Sequence, residues 1–208
     1  MNMLVLEEKA HSQGKRLVCG VDEAGRGPLA GPVFAAAVIL PERCSLADVQ
    51  GIDDSKKLTE KKREELYDTI VELAQACAVA SASEAEIDEY NILNATFLAM
   101  KRAVAMLGVS PDLVLVDGNR TPQLEMECRS VVKGDSKSAS IAAASILAKV
   151  SRDRYMKELA LQYPQYEFDR HKGYPTKLHY EKIAQFGVSP VHRKSFLKNL
   201  KEHMGTAQ

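Results

Sequence analysis

Apolar positions fall into short β-type runs and longer stretches of helical period, and the order in which they alternate predicts an α/β chain. Residues 17–21 (Leu-Val-Cys-Gly-Val) and 33–40 are short, apolar and rich in β-branched side chains, so they read as the first two strands. A short helix is expected over 3–12 and a loop over 41–50. Thr59 suits an N-cap, opening a helix to about Gln75 with Leu66, Ile70 and Leu73 as its apolar stripe. The small residues of 77–82 give a third strand. Ser83 with Glu86 three positions on has the form of a capping box and opens a short helix. A longer helix over 92–107 ends at Gly108, with Pro111 beyond. Leu113-Val114-Leu115-Val116 is a continuous apolar run of the kind buried on both faces, and it stops at Asp117-Gly118. A fifth strand over 128–132 precedes a long helix from Ser138 to about Gln162. Pro164, Gly173-Tyr174-Pro175 and Gly187 break up the tail, leaving short helices at about 176–185 and 195–201. This order predicts a mixed five-stranded sheet flanked by helices over 1–162, with a helical C-terminal extension over 163–208.

Composition narrows the setting. A chain of 208 residues with 45% hydrophobic content can build one full-sized core. The four cysteines (Cys19, Cys44, Cys77, Cys128) are widely spaced without a C-x-x-C pair, which argues against a zinc site or a disulfide framework and predicts a reducing cytosol. No basic head leads into an apolar stretch at the start, and no apolar run is long enough to span a bilayer. No unexplained apolar stripe is visible, so a monomer is expected. The net charge of +0 hides an asymmetry: residues 1–128 carry 13 Lys+Arg against 21 Asp+Glu, and residues 129–208 carry 15 against 7. A basic second part facing an acidic site suits a binder of phosphate backbones, and solvated faces of opposite sign account for the asymmetry equally well.

The candidate chemistry centres on Val21-Asp22-Glu23-Ala24-Gly25-Arg26-Gly27, where two adjacent carboxylates lead into a glycine-built turn. Successive strand residues face opposite ways, so for both acids to serve one site the strand is expected to bend or end there. Gly25-Arg26-Gly27-Pro28-Leu29-Ala30 also fits G-x-G-x-x-A, but a dinucleotide site needs a helix to start at the turn. Here Pro28 and Pro32 bracket it and a strand follows, so no nucleotide cofactor is expected. Asp117 ends the most apolar strand, where open α/β sheets carry their sites. Alone it reads better as an Asp-Gly turn residue. If the strands bearing Asp22 and Asp117 are parallel neighbours, three acids converge, and their repulsion calls for a hard divalent cation such as Mg2+ or Mn2+. Asp135, in Lys133-Gly134-Asp135-Ser136-Lys137-Ser138, is either the cap of the long helix or a fourth acid. That helix is dominated by small residues over 139–148, which permit close packing on the sheet, and it carries Lys149, Arg152 and Arg154 toward either phosphates or solvent.

Asp-Glu-Ala-Gly-Arg-Gly (22–27), Asp-Ser-Lys-Lys-Leu (54–58), Val-Asp-Gly-Asn (116–119), Lys-Gly-Asp (133–135), Ser-Ile-Ala-Ala-Ala-Ser-Ile-Leu-Ala-Lys-Val-Ser-Arg-Asp (140–153) and His-Lys-Gly-Tyr-Pro-Thr (171–176) occur in that order. Together they make the chain similar to bacterial ribonuclease HII, the type 2 ribonuclease H, over roughly residues 17–190. The resemblance implies a ribonuclease H-like fold with a C-terminal helical region that helps to hold the duplex. It implies four metal-binding catalytic acids, falling on Asp22, Glu23, Asp117 and Asp135. It implies that the backbone of Gly25, Arg26 and Gly27 reads the ribose 2′-hydroxyl, that Tyr174 stacks at the RNA–DNA junction, and that Lys56 and Lys149 lie near phosphates. The implied reaction is endonucleolytic hydrolysis of the RNA strand of RNA–DNA hybrids, and incision 5′ of ribonucleotides embedded in duplex DNA. Two cations, Mg2+ or Mn2+, would assist, leaving 3′-hydroxyl and 5′-phosphate ends, in the service of ribonucleotide and RNA-primer removal. Rival readings remain at this level: a non-catalytic nucleic-acid binder, a small-molecule phosphohydrolase, or a structural protein whose acids are turn residues.

Overall fold

The computed structural model describes residues 2–52 and 58–198. Strands β1 (Val18–Ala24) and β2 (Val33–Ile39) form an antiparallel pair. β2 is nearly all small or β-branched because both of its faces are covered. Ala35, Ala37 and Ile39 turn to one helical layer, Ala36 and Val38 to the other. After α2 (Glu60–Leu73), β3 (Ala76–Ala82) adds antiparallel to the outer side of β2. Past α3 (Glu84–Ala105), β4 (Leu113–Asp117) pairs parallel with β1, and β5 (Cys128–Val131) pairs parallel with β4. The sheet order is β3-β2-β1-β4-β5, mixed and five-stranded.

The N-terminal helix α1 (Val5–Ser12), α2 and the long helix α4 (Ala139–Gln162) pack on one side of the sheet, and α3 covers the other. The small residues of α4 let its backbone lie directly on β1: a Cβ on Gly20 would stand 2.1 Å from the Ser140 carbonyl carbon. The tail adds the short α5 (Phe168–His171), α6 (Lys177–Phe186) and a 3-10 turn over Lys194–Phe196. Residues of the last expected helix beyond 198 lie outside the described residues. Among the described residues no helix is long and apolar enough to cross a membrane.

Three local readings change. The run over 84–105 is one helix interrupted at Asn91 (φ 67°), whose Oδ1 accepts the Leu93 and Asn94 N–H groups and so restarts the helix as a cap would. Ser138, not Asp135, caps α4, accepting the Ile141 N–H at 3.2 Å. And β1 does not end before its acids: its ladder with β2 runs through Asp22↔Ala36 to Ala24↔Phe34.

Candidate active site

Because β1 continues, Asp22 and Glu23 face opposite layers. Asp22 turns toward α4 and is 6% exposed. Its Oδ1 accepts the Glu23 N–H at 2.7 Å, and Ser145 of α4 hydrogen-bonds its carboxylate. Burial, then the charges of Glu23 and Asp117, push its carboxyl well above the ordinary range. Glu23 turns toward α3 and meets the Arg26 guanidinium at 3.4 Å. With Asp117, Arg26, Asn119, Arg120 and Phe97 of α3 it lines a cavity of about 290 Å³.

The β1–β4 ladder stops at Val21↔Val116, one residue short of Asp22 and Asp117. Both acids thus leave the same end of adjacent parallel strands. Asp117 Oδ1 accepts the Gly134 N–H at 2.6 Å, and a Cβ on Gly134 would stand 2.6 Å from Ile141 Cδ1. Gly134 therefore pins the following residue, Asp135, in a buried 3-10 turn beside Asp117. Asp22 lies among the charges of Glu23 and Asp117, and Asp135 follows the residue that holds Asp117. Among the described residues no three His, Cys, Asp or Glu side chains stand at closed metal-ligand spacing. The donor set is nonetheless all carboxylate oxygen, and the mutual repulsion felt by Asp22 is what a hard divalent cation would relieve.

The glycine turn lies next to these acids. It leads into β2 and not into a helix, which removes the dinucleotide reading. Gly25 adopts φ +94°, a conformation L side chains rarely take. Tyr174, 37% exposed, faces the turn: a Cβ on Gly27 would stand 3.9 Å from its Cε1. Lys149 Nζ and Arg152 Cζ sit 5.9 and 5.7 Å from its ring centre. Of the cations expected to face phosphates or solvent, Lys149 pairs with Asp153 at 2.7 Å and Arg154 with Glu64 at 2.5 Å, while Arg152 faces neither, being fully buried. Lys56 lies outside the described residues.

The loop carrying Tyr174 is held by three neutral histidines. His179 Nδ1–H donates to the Tyr174 carbonyl at 3.0 Å, so its Nε2 accepts from His192 Nε2–H at 3.1 Å, and His192 Nδ1 accepts from Ser189. His171 Nε2–H donates to the Tyr166 carbonyl, and its Nδ1 accepts the Gly173 N–H. Burial, with the neighbouring histidines, lowers His179 to about 3 and His192 to about 4. Arg193, Ser145 and these histidines were not foreseen from sequence. A His-Arg pair in a tail broken by Pro and Gly carries no periodicity to flag it.

The family model for Ribonuclease HII matches residues 19–199. A ribonuclease HII of Caldicellulosiruptor bescii is 54% identical over 199 residues, covering 96% of this chain and 95% of that protein. A ribonuclease HII of Dechloromonas aromatica is 62% identical over 181 residues, covering 86% and 90%. Among solved structures, the ribonuclease H2 of Pyrococcus horikoshii superimposes with a TM-score of 0.74 at 28% identity, covering 91% of this chain and 99% of that one.

Proposed function

Since the chain belongs to the ribonuclease HII family and is thereby a ribonuclease H-type hydrolase, we propose that it cuts the RNA strand of RNA–DNA hybrids and incises duplex DNA 5′ of an embedded ribonucleotide. The observation that carries this is the adjacency of two devices: a strand end where Asp22 lies among the charges of Glu23 and Asp117, with the turn bearing Asp135 tied to Asp117 through the Gly134 N–H, and a glycine turn facing an exposed tyrosine.

Asp22, Glu23, Asp117 and Asp135 would hold Mg2+ or Mn2+. Bound there, such cations lower the pKa of an attacking water and offset charge on the phosphate and on the leaving 3′ oxygen. The residues themselves do the positioning. The Glu23 N–H and Ser145 fix one edge of the Asp22 carboxylate, and the Gly134 N–H fixes Asp117. Discrimination needs no base reading, because the 2′-hydroxyl is what separates RNA from DNA at a given position. Main-chain groups of Gly25, Arg26 and Gly27 can approach that hydroxyl where a side chain would intrude. The Tyr174 ring offers a stacking surface for the sugar on the deoxy side of the junction, and Lys149 lies beside it for the backbone. The tail over 163–208, which supplies Tyr174, is the part proposed to grip the duplex.

The test is a labelled DNA duplex with one embedded ribonucleotide, incubated with Mg2+, with Mn2+ and with chelator, with the cut mapped. Metal-dependent incision on the 5′ side, leaving 3′-hydroxyl and 5′-phosphate ends, is expected. Cutting only of runs of ribonucleotides would remove the junction role of Tyr174; no cutting by folded protein would leave a binding function alone.

A further inference from the structure

Behind the glycine turn lie two fully buried arginines whose hydrogen bonds, among the described residues, all go to main-chain carbonyls. Arg193 donates from Nη2 to Gly25 O at 2.6 Å, from Nη1 to Arg26 O at 3.0 Å and from Nε to Gly31 O at 2.8 Å. Arg152 donates from Nη2 to Ala30 O at 3.3 Å, from Nε to Pro32 O at 3.2 Å and from Nη1 to Lys172 O at 3.0 Å. The turn is tied again through its main chain: the Arg193 N–H bonds Leu29 O, and the Leu29 N–H bonds Gly173 O, each at 2.8 Å. Among the described residues neither guanidinium forms an ion pair with a carboxylate. The anion whose charge both feel is Glu84, at the start of α3, whose buried Oε1 accepts no hydrogen bond.

Fold stability alone does not account for two cations buried side by side, since apolar side chains of similar volume usually fill such space at least as well. A guanidinium does something they cannot. Its planar fork of donors fixes three carbonyls at once. With the Gly25 and Arg26 carbonyls drawn inward, the opposite side of the turn's main chain is left for a ligand. Gly25 is needed for this approach, because a Cβ there would lie 2.0 Å from Arg152 Nε. Arg152 extends the same grip to Lys172, two residues before Tyr174.

We infer that Arg152 and Arg193, with Glu84 as their counter-charge, are positioning residues for 2′-hydroxyl recognition, locking the Gly25-Arg26-Gly27 main chain and the Tyr174 loop into one rigid reader. The inference rests on the proposed function. It assigns the arginines to specificity and not to phosphate binding.

The test measures the affinity of the full chain, in chelator, for two duplexes that differ by a single 2′-hydroxyl. Arg193→Lys and Arg152→Lys keep the charge but not the three-pronged geometry. Each is expected to lower the preference for the ribonucleotide duplex about fivefold or more, as loss of a hydrogen bond to a polar partner does. Affinity for the all-DNA duplex should stay within about twofold, as expected where phosphate contacts are untouched. Preference retained in a folded variant, or both affinities falling in parallel, overturns the inference. If neither lysine variant folds, Glu84→Gln decides: it keeps both guanidiniums and their carbonyl acceptors but removes the counter-charge that holds the two cations side by side, which loosens the clamp. A smaller loss of preference supports the inference, and an unchanged preference overturns it. A wild-type chain with no preference removes the proposed reader itself, and the inference with it.

Discussion

Gly27→Ala separates the reading of the sugar from the stability of the fold. Gly27 has no positive φ, and the nearest atom to a Cβ built there is Tyr174 Cε1 at 3.9 Å. That is ordinary contact distance, so the added methyl fits the free protein. Stability should be unchanged or raised by about 0.4–1 kcal/mol, because alanine narrows the unfolded ensemble. Carbon atoms pack at about 3.5–4.0 Å, so the methyl closes the gap between turn and ring and leaves no room for a hydroxyl oxygen. Stranding that hydroxyl without partners costs about 1–3 kcal/mol, or roughly 5- to 150-fold in kcat/KM. The assay is incision of a duplex with one embedded ribonucleotide, alongside a thermal melt. Gly25→Ala is the contrast, since its φ of +94° and the overlap with Arg152 predict a clear fall in Tm. Wild-type kcat/KM in a Gly27→Ala protein with unchanged Tm would refute the idea that the sugar lies between turn and ring.

Asp22→Asn should fold and bind hybrid but not cut, with a Tm at neutral pH equal to or above wild type. The folded carboxyl titrates above its unfolded value, so the ionised form weakens the fold once pH passes the unfolded pKa; a marked fall in Tm would contradict this. Acid should loosen the tail through the histidines, whose folded pKa values of about 3 and 4 lie below the unfolded value near 6.5. Their contribution is complete above about pH 6.5 and is lost as pH falls toward the folded values, about tenfold in the folding equilibrium per pH unit per histidine. Melts at several pH values should show His179→Gln with a shallower acid slope, and an identical slope would count against the neutral relay. Glu7 Oε1 accepts from Ser138 Oγ, Ser140 N and Ser140 Oγ at 2.6, 3.0 and 2.6 Å, so Glu7→Ala should destabilise by about 1–3 kcal/mol, and Glu7→Gln by less, in denaturant titration.

What could be read from sequence was what repeats or sits at an element's end. β4 was legible because burial on both faces leaves an unbroken Leu-Val-Leu-Val run ending at Asp117. The Ser83–Glu86 capping box needs only four residues of context. The arginine clamp was not legible, because the carbonyls of the turn lie far off in sequence, 120 positions from Arg152 for Pro32 and 168 from Arg193 for Gly25. On a helix such as α4 an arginine reads as a solvated cation until tertiary structure supplies buried acceptors. Asp135 was ambiguous because Ser138, three residues on, meets the same capping need.

The expectation that β1 must end at its acids rested on period-two alternation, and the structure resolves it differently. Asp22 and Glu23 do face opposite layers, one against Ser145 and the other above the cavity beside α3. What makes a shared site available is that β1 keeps its partner on the β2 side while losing it on the β4 side after Val21↔Val116. At Asp22 and Glu23 the strand thus has a ladder partner on the β2 side and none on the β4 side, toward Asp117. Side chains from both faces can converge past such an end without a bend in the strand. Parallel pairing of β1 with β4 supplies the third acid at the same height, and the Gly134 N–H bonded to Asp117 brings in the turn bearing the fourth. Adjacent carboxylates where a strand loses its partner on one side and keeps it on the other can thus present acids from both helical layers at one strand end, and alternation alone would have argued against it.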